Sequence, residues 1–196
     1  MGLLIGILLF QVISSARLKS PTNDEFSHHI ASGYSYLLTG DFRLNTAQPP
    51  LPKLLSAIPL WILKAKAPLD SLAWKNGDTP KFAREFFYQA NLNADRLVFW
   101  ARMPIALLSA LFALCVYWAG KELFGWLGGF FSLVLYVFCP DIVAHSGLAT
   151  SDLAVAFFFF LACWQFRRYL LKSTTSHLIA VGIFTGLCFL SKFSAV

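Results

Sequence analysis

The sequence predicts an all-α fold, a polytopic membrane helix bundle with a large outer loop that carries an interfacial helix. Composition is the first reason: of 196 residues, 57% are hydrophobic and 13% charged, too apolar for a surface that faces water on every side. The second is clustering. Leu97 to Gly120, Leu123 to Cys139, Leu153 to Phe166 and Leu178 to Val196 are nearly free of charge. With their flanks, each approaches the ~20 residues that carry a helix across hydrocarbon. The third is where the charges went: 11 of the 16 basic residues and 7 acidic ones lie between Arg17 and Arg102, one polar segment of net charge +4.

Taken in order, the chain opens on Gly2 to Ile13, a shorter apolar run. It reads as a first span over residues 1–16, or as a signal-peptide core followed by Ser14-Ser15-Ala16 as a small-residue cleavage site. The lack of a positive segment ahead of the core favours the uncleaved span. Residues 17–96 form the outer loop. Within it Leu51 to Leu63 is apolar but interrupted by Lys53 and Pro59, and too short to span, so it is expected to lie in the interface. Ser20-Pro21-Thr22-Asn23, Gln48-Pro49-Pro50 and Asn76-Gly77-Asp78 break helices by fixed φ or by capping. Residues 97–196 hold four further spans. Because Val196 falls inside an apolar run, the natural chain is expected to continue past it. Cys115, Cys139, Cys163 and Cys188 sit in or at the ends of apolar runs and read as small core residues, not a disulfide framework. Gly182-x-x-x-Gly186 predicts close helix packing.

Topology follows from the short loops, which carry the positive-inside signal. Arg167, Arg168 and Lys172 lie between the fourth and fifth spans and Lys121 between the second and third, so both turns belong on the cytoplasmic side. The long Arg17 to Arg102 segment and the turn from Cys139 to Asp152 then face the opposite compartment. Of the formal net charge of +6, +4 lies in that mixed loop, which fits anionic lipid or a phosphate-bearing substrate better than a nucleic-acid duplex. No nucleic-acid partner is expected.

This topology gathers Asp24 with Glu25, Asp141 with His145, and Asp152 on one side of the membrane. Lys192, 14 residues beyond Leu178 and so about 21 Å along a helix, joins them. Acids at a membrane boundary beside a cation can supply a base and a phosphate contact. Simpler readings stand beside that one. Asp24 could cap a helix running from Glu25 to Leu38, Asp152 could be a first-turn acid, and Lys192 could snorkel to the interface. Arg96 and Arg102 are interfacial anchors that can also touch lipid phosphate. His28 and His29, adjacent on a helix, point about 100° apart and make a poor metal pair. No metal ligand set and no cofactor site is evident.

Several stretches, in order, are similar to one family. They begin with Ser20-Pro21-Thr22-Asn23-Asp24-Glu25-Phe26-Ser27-His28 and continue through Gly33-Tyr34-Ser35-Tyr36, Thr39-Gly40-Asp41-Phe42-Arg43-Leu44 and Pro49-Pro50-Leu51-Pro52-Lys53-Leu54-Leu55. Beyond the loop come Ala101-Arg102, Lys121-Glu122-Leu123-Phe124-Gly125, Pro140-Asp141-Ile142-Val143-Ala144-His145, Ala149-Thr150-Ser151-Asp152, and Gly186-Leu187-Cys188-Phe189-Leu190-Ser191-Lys192-Phe193. Together they resemble the polyprenyl-phosphate-dependent glycosyltransferases of the membrane C-type fold, which include protein O-mannosyltransferases and the aminoarabinose transferases of lipid A.

That resemblance implies a hexosyl- or pentosyltransferase in which Asp24 is the general base, Glu25 supports it and Asp152 is a second acid of the site. Arg102, Lys192 and His145 are the expected contacts to the donor phosphate. It implies a polyprenyl-phosphate-linked sugar and membrane lipid as partners, inversion at the anomeric carbon, and a place in a bacterial inner membrane with the site on the outer face. Where the family carries His-Pro-Pro-Leu or Lys-Pro-Pro-Leu, this chain has Gln48-Pro49-Pro50-Leu51, without the cationic or metal-binding side chain. The rival class is a transporter or assembly subunit. Such a protein would place ionisable groups near mid-membrane instead of at one face.

Overall fold

The structure, a computed structural model, describes residues 1–195. Every regular element among the described residues is helical, in agreement with the all-α expectation. Helix α1 (Gly2–Leu18) buries Leu8, Val12 and Ala16, a stripe at i, i+4, i+8 that packs against α6. A π-helical turn, Glu25–Ile30, leads directly into α2 (Ala31–Thr39). The loop continues through α3 (Leu51–Ile62), α4 (Leu72–Lys75), α5 (Thr79–Glu85) and a second π-helical turn, Phe86–Ala90. Side chains at the first positions of these helices do what the turn chemistry predicts: Ser71 accepts from the Trp74 amide and Asp78 from the Lys81 amide.

The segment between α1 and α6 has a core of its own, in which Ile30, Tyr34, Leu60, Phe82, Phe86 and Phe87 are buried together. Tyr34 donates its hydroxyl to the Ala65 carbonyl at 2.6 Å and Tyr36 to the Asn45 carbonyl at 2.9 Å, so both buried phenols are satisfied. Helix α3 is built inside out for a water-soluble helix. Ile58, Trp61 and Ile62 are exposed while Lys53 and Ser56 are fully buried. The exposed face of this twelve-residue helix is thus apolar. Lys53 turns inward to donate to the carbonyls of Asn45 (3.1 Å) and Gln48 (2.9 Å).

Helices α2 and α3 meet at Gly33, where a Cβ would run into the Lys53 backbone carbonyl. Backbone cannot yield as a flexible side chain can, so Gly33→Leu is expected to separate the two helices. The expected cost is about 1–3 kcal/mol, the usual range for overpacking, read as a lowered thermal midpoint in detergent. A midpoint equal to wild type would mean the contact is not tight in solution.

Helix α6 (Ala94–Val137) is two antiparallel helices joined at Phe124 and Gly125; Gly125 sits at φ 72°, where glycine is favoured. The pairing of its arms is visible in contacts that run in opposite directions: Gly129 lies against the Tyr117 carbonyl, Gly120 against Ser132, and Phe112 packs on the Tyr136 ring at 5.1 Å. Small residues therefore bring these arms together, as small-residue motifs do in membranes. At Gly182 and Gly186, by contrast, nothing lies within 4 Å of an added Cβ. The expected close packing at that pair is not found.

After α7 (Pro140–Ser146) the chain enters α8 (Asp152–Leu171) and returns in α9 (Thr175–Phe189), which packs along α8. Helices α6 and α8 are long and apolar enough to cross a membrane, while α1, α3 and α9 are shorter apolar helices. Helix α9 ends earlier than its apolar run, turning at Leu190 and Ser191 before a short 3-10 turn, Phe193–Ala195. Its end is tied to the start of α3 by the Leu51 amide, which donates to the Leu190 carbonyl at 3.1 Å.

At the opposite end of the bundle Glu122 accepts from Arg167 (3.1 Å) and Arg168 (2.6 Å), joining the two turns assigned to one side by their positive charge. The acids and Lys192 lie at the other end.

Candidate functional site

At that other end, Glu25 and Arg102 form an ion pair. Both side chains are fully buried. Arg102 donates Nε to Glu25 Oε1 (2.7 Å) and Nη2 to Oε2 (2.8 Å), a bidentate pairing. Its remaining N–H groups reach the carbonyls of Ala16 and Lys19 (2.8 Å each) and Ser20 (3.1 Å). A guanidinium has five N–H donors, and all five are taken. The expectation that Arg102 contacts a donor phosphate is corrected by this geometry, because no donor is left to offer.

Glu25 is committed to the same degree. Beyond Arg102 it accepts from the Thr22 amide (2.9 Å), the Thr22 hydroxyl (3.2 Å) and the Ala149 amide (2.8 Å). Burial alone would push its carboxyl up, but the hydrogen bonds of Arg102, Thr22 and Ala149 outweigh it and hold the pKa below the ordinary glutamate value. Glu25 is thereby an ionised strut: it links the start of the segment between α1 and α6, the end of α1, the opening of α6 and the turn before α8. Both of its oxygens face protein groups.

Asp24, one residue earlier, is exposed, and its side chain makes no capping hydrogen bond. The cap is made instead by Thr22, whose hydroxyl accepts from the Glu25 amide at 3.3 Å while Glu25 accepts from the Thr22 amide. Thr22-x-x-Glu25 is a capping box, and it removes the cap reading of Asp24. The helix expected from Glu25 to Leu38 begins as a π-helical turn before becoming α2. No spacing in the sequence signals that turn.

Asp152 opens α8, three residues past the amide that Glu25 holds. Lys192 donates to Asp152 Oδ1 at 2.6 Å, and His145 Nδ1 lies 3.8 Å from Oδ2. All three side chains are partly exposed, between 35% and 49%. The structure thus joins Asp152, His145 and Lys192, which stand far apart in sequence, into one accessible cluster. Lys192 is not simply snorkelling; it is paired with an acid. Among the described residues no group of three His, Cys, Asp or Glu side chains is placed to hold a metal ion.

No curated protein and no solved structure matches the chain. A family model, described as dolichyl-phosphate-mannose-protein mannosyltransferase, matches residues 92–196, more than half of the chain. That stretch runs from the start of α6 past Lys192 and includes Arg102, His145 and Asp152. The chain belongs to the dolichyl-phosphate-mannose-protein mannosyltransferase family.

Proposed function

We propose that this protein transfers a sugar from a polyprenyl-phosphate donor to an acceptor nucleophile at the outer face of a bacterial inner membrane, with inversion and with Asp24 as general base. One contrast carries the reading. Of two adjacent acids, Glu25 is buried and locked by Arg102, whereas Asp24 is exposed and uncommitted beside it. An acid held at a fixed place by its neighbour, with its own oxygens free, is suited to accept a proton.

In the proposed step the acceptor oxygen attacks the anomeric carbon as its proton passes to Asp24. The bond from that carbon to the phosphate oxygen breaks on the opposite face, and polyprenyl phosphate leaves with the electron pair. Lys192 and His145, gathered on Asp152, supply positive charge and N–H donors where the leaving phosphate gains charge. Arg102 takes no direct part: it sets Glu25, and through Glu25 both acid-bearing turns. Membership of the family supports glycosyl transfer; the base, the stereochemistry and the outer-face site are the specific content of the proposal.

The experiment is transfer of labelled sugar from a polyprenyl-phosphate donor in membranes carrying the full-length protein, with the anomeric configuration of the product read by NMR. An inverted product is expected. Lys192→Gln should lower transfer about 10²-fold or more, as loss of a charge-stabilising donor does. Its stability should change by about 1 kcal/mol or less, because the pair is half exposed. Retention of configuration would exclude the single displacement. Absence of transfer with any donor would move weight to a transporter or assembly subunit.

A further inference from the structure

The loop that leaves α3 and the loop that enters α6 meet at a cleft of about 270 Å³ that the proposed reaction does not use. Lys64 and Lys66 line it from the first loop, and Asn91, Leu92 and Arg96 from the second loop and the first turn of α6. Among the described residues no acid lines the cleft, and none of its three cations forms an ion pair. Asp95, beside Arg96 in the chain, is not part of its wall. Three positive charges brought to one opening without a counter-charge repel one another, and an anion bound there relieves that repulsion.

The walls are held in register. Asn91 accepts from the Lys66 amide at 3.0 Å and donates to the carbonyls of Lys66 and Phe86, both at 2.8 Å, which clamps one loop to the other. The Tyr34 hydroxyl holds the Ala65 carbonyl, between the two lysines. Lys64 sits at φ 54°, just past the end of α3. Glycine is the usual residue in that left-handed position, because it alone adopts it without steric cost. A lysine there is strained, yet it brings a charge to the cleft.

The surroundings indicate what kind of anion fits. Trp61 and Ile62, next in the chain to the lining residues Leu63 and Lys64, are exposed, and so is Leu92 in the wall itself. Tryptophan and apolar side chains beside cations are the pattern of a membrane–water interface. Pockets that enclose a small molecule run to about 300–1,000 Å³. This cleft is smaller and suits a headgroup phosphate whose attached chains lie outside it, along those exposed side chains.

We infer that Lys64, Lys66 and Arg96 hold the phosphate of an anionic bilayer phospholipid, and so seat the segment between α1 and α6 on the membrane. Asp24, His145, Asp152 and Lys192 do not line the cleft, and the inference stands apart from sugar transfer.

The test measures retention of a fluorescent phosphatidylglycerol by the full-length protein in neutral detergent. The competitors are unlabelled phosphatidylglycerol, phosphatidylcholine and, at constant ionic strength, inorganic phosphate. A cation beside an anionic lipid surface adds about fivefold to binding. Lys64→Gln, Lys66→Gln and Arg96→Gln together should therefore weaken retention about a hundredfold, and each alone about fivefold. All three side chains are exposed, so thermal midpoints should hardly move. A charge-matched control, Lys75→Gln with Lys81→Gln and Arg84→Gln on α4 and α5 of the same segment, should change retention by less than about fivefold. Asn91→Ala, which removes the clamp and no charge, should weaken it severalfold. Phosphatidylcholine and inorganic phosphate should compete poorly.

Equal losses in the two triple variants would mean diffuse surface charge and overturn the site, as would undiminished retention in the first of them or in Asn91→Ala. Should that first triple variant not accumulate, the single changes decide: weakened retention supports the site and unchanged retention in all three overturns it. Displacement by inorganic phosphate as readily as by phosphatidylglycerol would make the occupant a free anion and overturn the lipid assignment. A wild type that does not prefer phosphatidylglycerol to phosphatidylcholine would overturn it too. No turnover is needed for any of these readings, so failure here and failure of the glycosyl-transfer reading are seen separately.

Discussion

Arg102→Ala is expected to cost about 3–5 kcal/mol, the range for removing one member of a buried ion pair, because it strands Glu25 as an uncompensated charge. Three backbone carbonyls, those of Ala16, Lys19 and Ser20, lose their donors in the same change. Most small proteins have only 5–15 kcal/mol in reserve, so the variant should melt far below wild type in detergent and accumulate poorly in membranes. Arg102→Lys should rescue little. An ammonium has three donors in place of five and cannot pair bidentately.

Acid should act on the same joint. A glutamate whose folded pKa lies below its unfolded value contributes stability that is present above the ordinary carboxylate range and lost as pH falls through the folded pKa. Thermal midpoints measured on a descending pH series check the sign. An Arg102→Ala unfolding free energy within about 1 kcal/mol of wild type would mean that water reaches the pair and that it holds nothing together.

Much of this arrangement was legible before any coordinates. Apolar runs give helices because only a helix satisfies its own backbone in lipid, and the interruption at Lys53 and Pro59 marked α3 as something other than a span. Basic residues at Lys121 and at Arg167 with Arg168 placed two turns together, and Glu122 joins those turns. Part of what stayed hidden depends on contacts distant in sequence. Arg102 reads as an interfacial anchor until its partner, 77 residues away, is seen to take it. Asp24 looks like a cap because Asp is a good cap. The Thr22-x-x-Glu25 spacing of a capping box was there to be read, and the reciprocal bonds of Thr22 and Glu25 show that this pair fills the position. Lys53 carries no sign that it turns inward from an apolar helix, and the π-helical turn at Glu25–Ile30 leaves no periodicity to detect. Gly182 and Gly186 show the opposite failure: the spacing is right, but no neighbour approaches.

The second large effect concerns activity alone. Asp24 is exposed and makes no capping bond, so Asp24→Asn should leave the fold and membrane level as they are. Loss of a general base typically removes 10²–10⁴-fold in rate. The pair Asp24→Asn and Glu25→Gln then separates chemistry from support: the first should lose transfer at an unchanged thermal midpoint, the second should lose transfer together with stability.

The most direct measurement is therefore the rate of sugar transfer from a polyprenyl-phosphate donor by full-length wild type and Asp24→Asn, at matched membrane levels and with thermal midpoints recorded for both. A fall of about 10²-fold or more with the midpoint unmoved is the expected result. Undiminished transfer by Asp24→Asn would contradict the account and reduce Asp24 to a surface residue at the start of a helix.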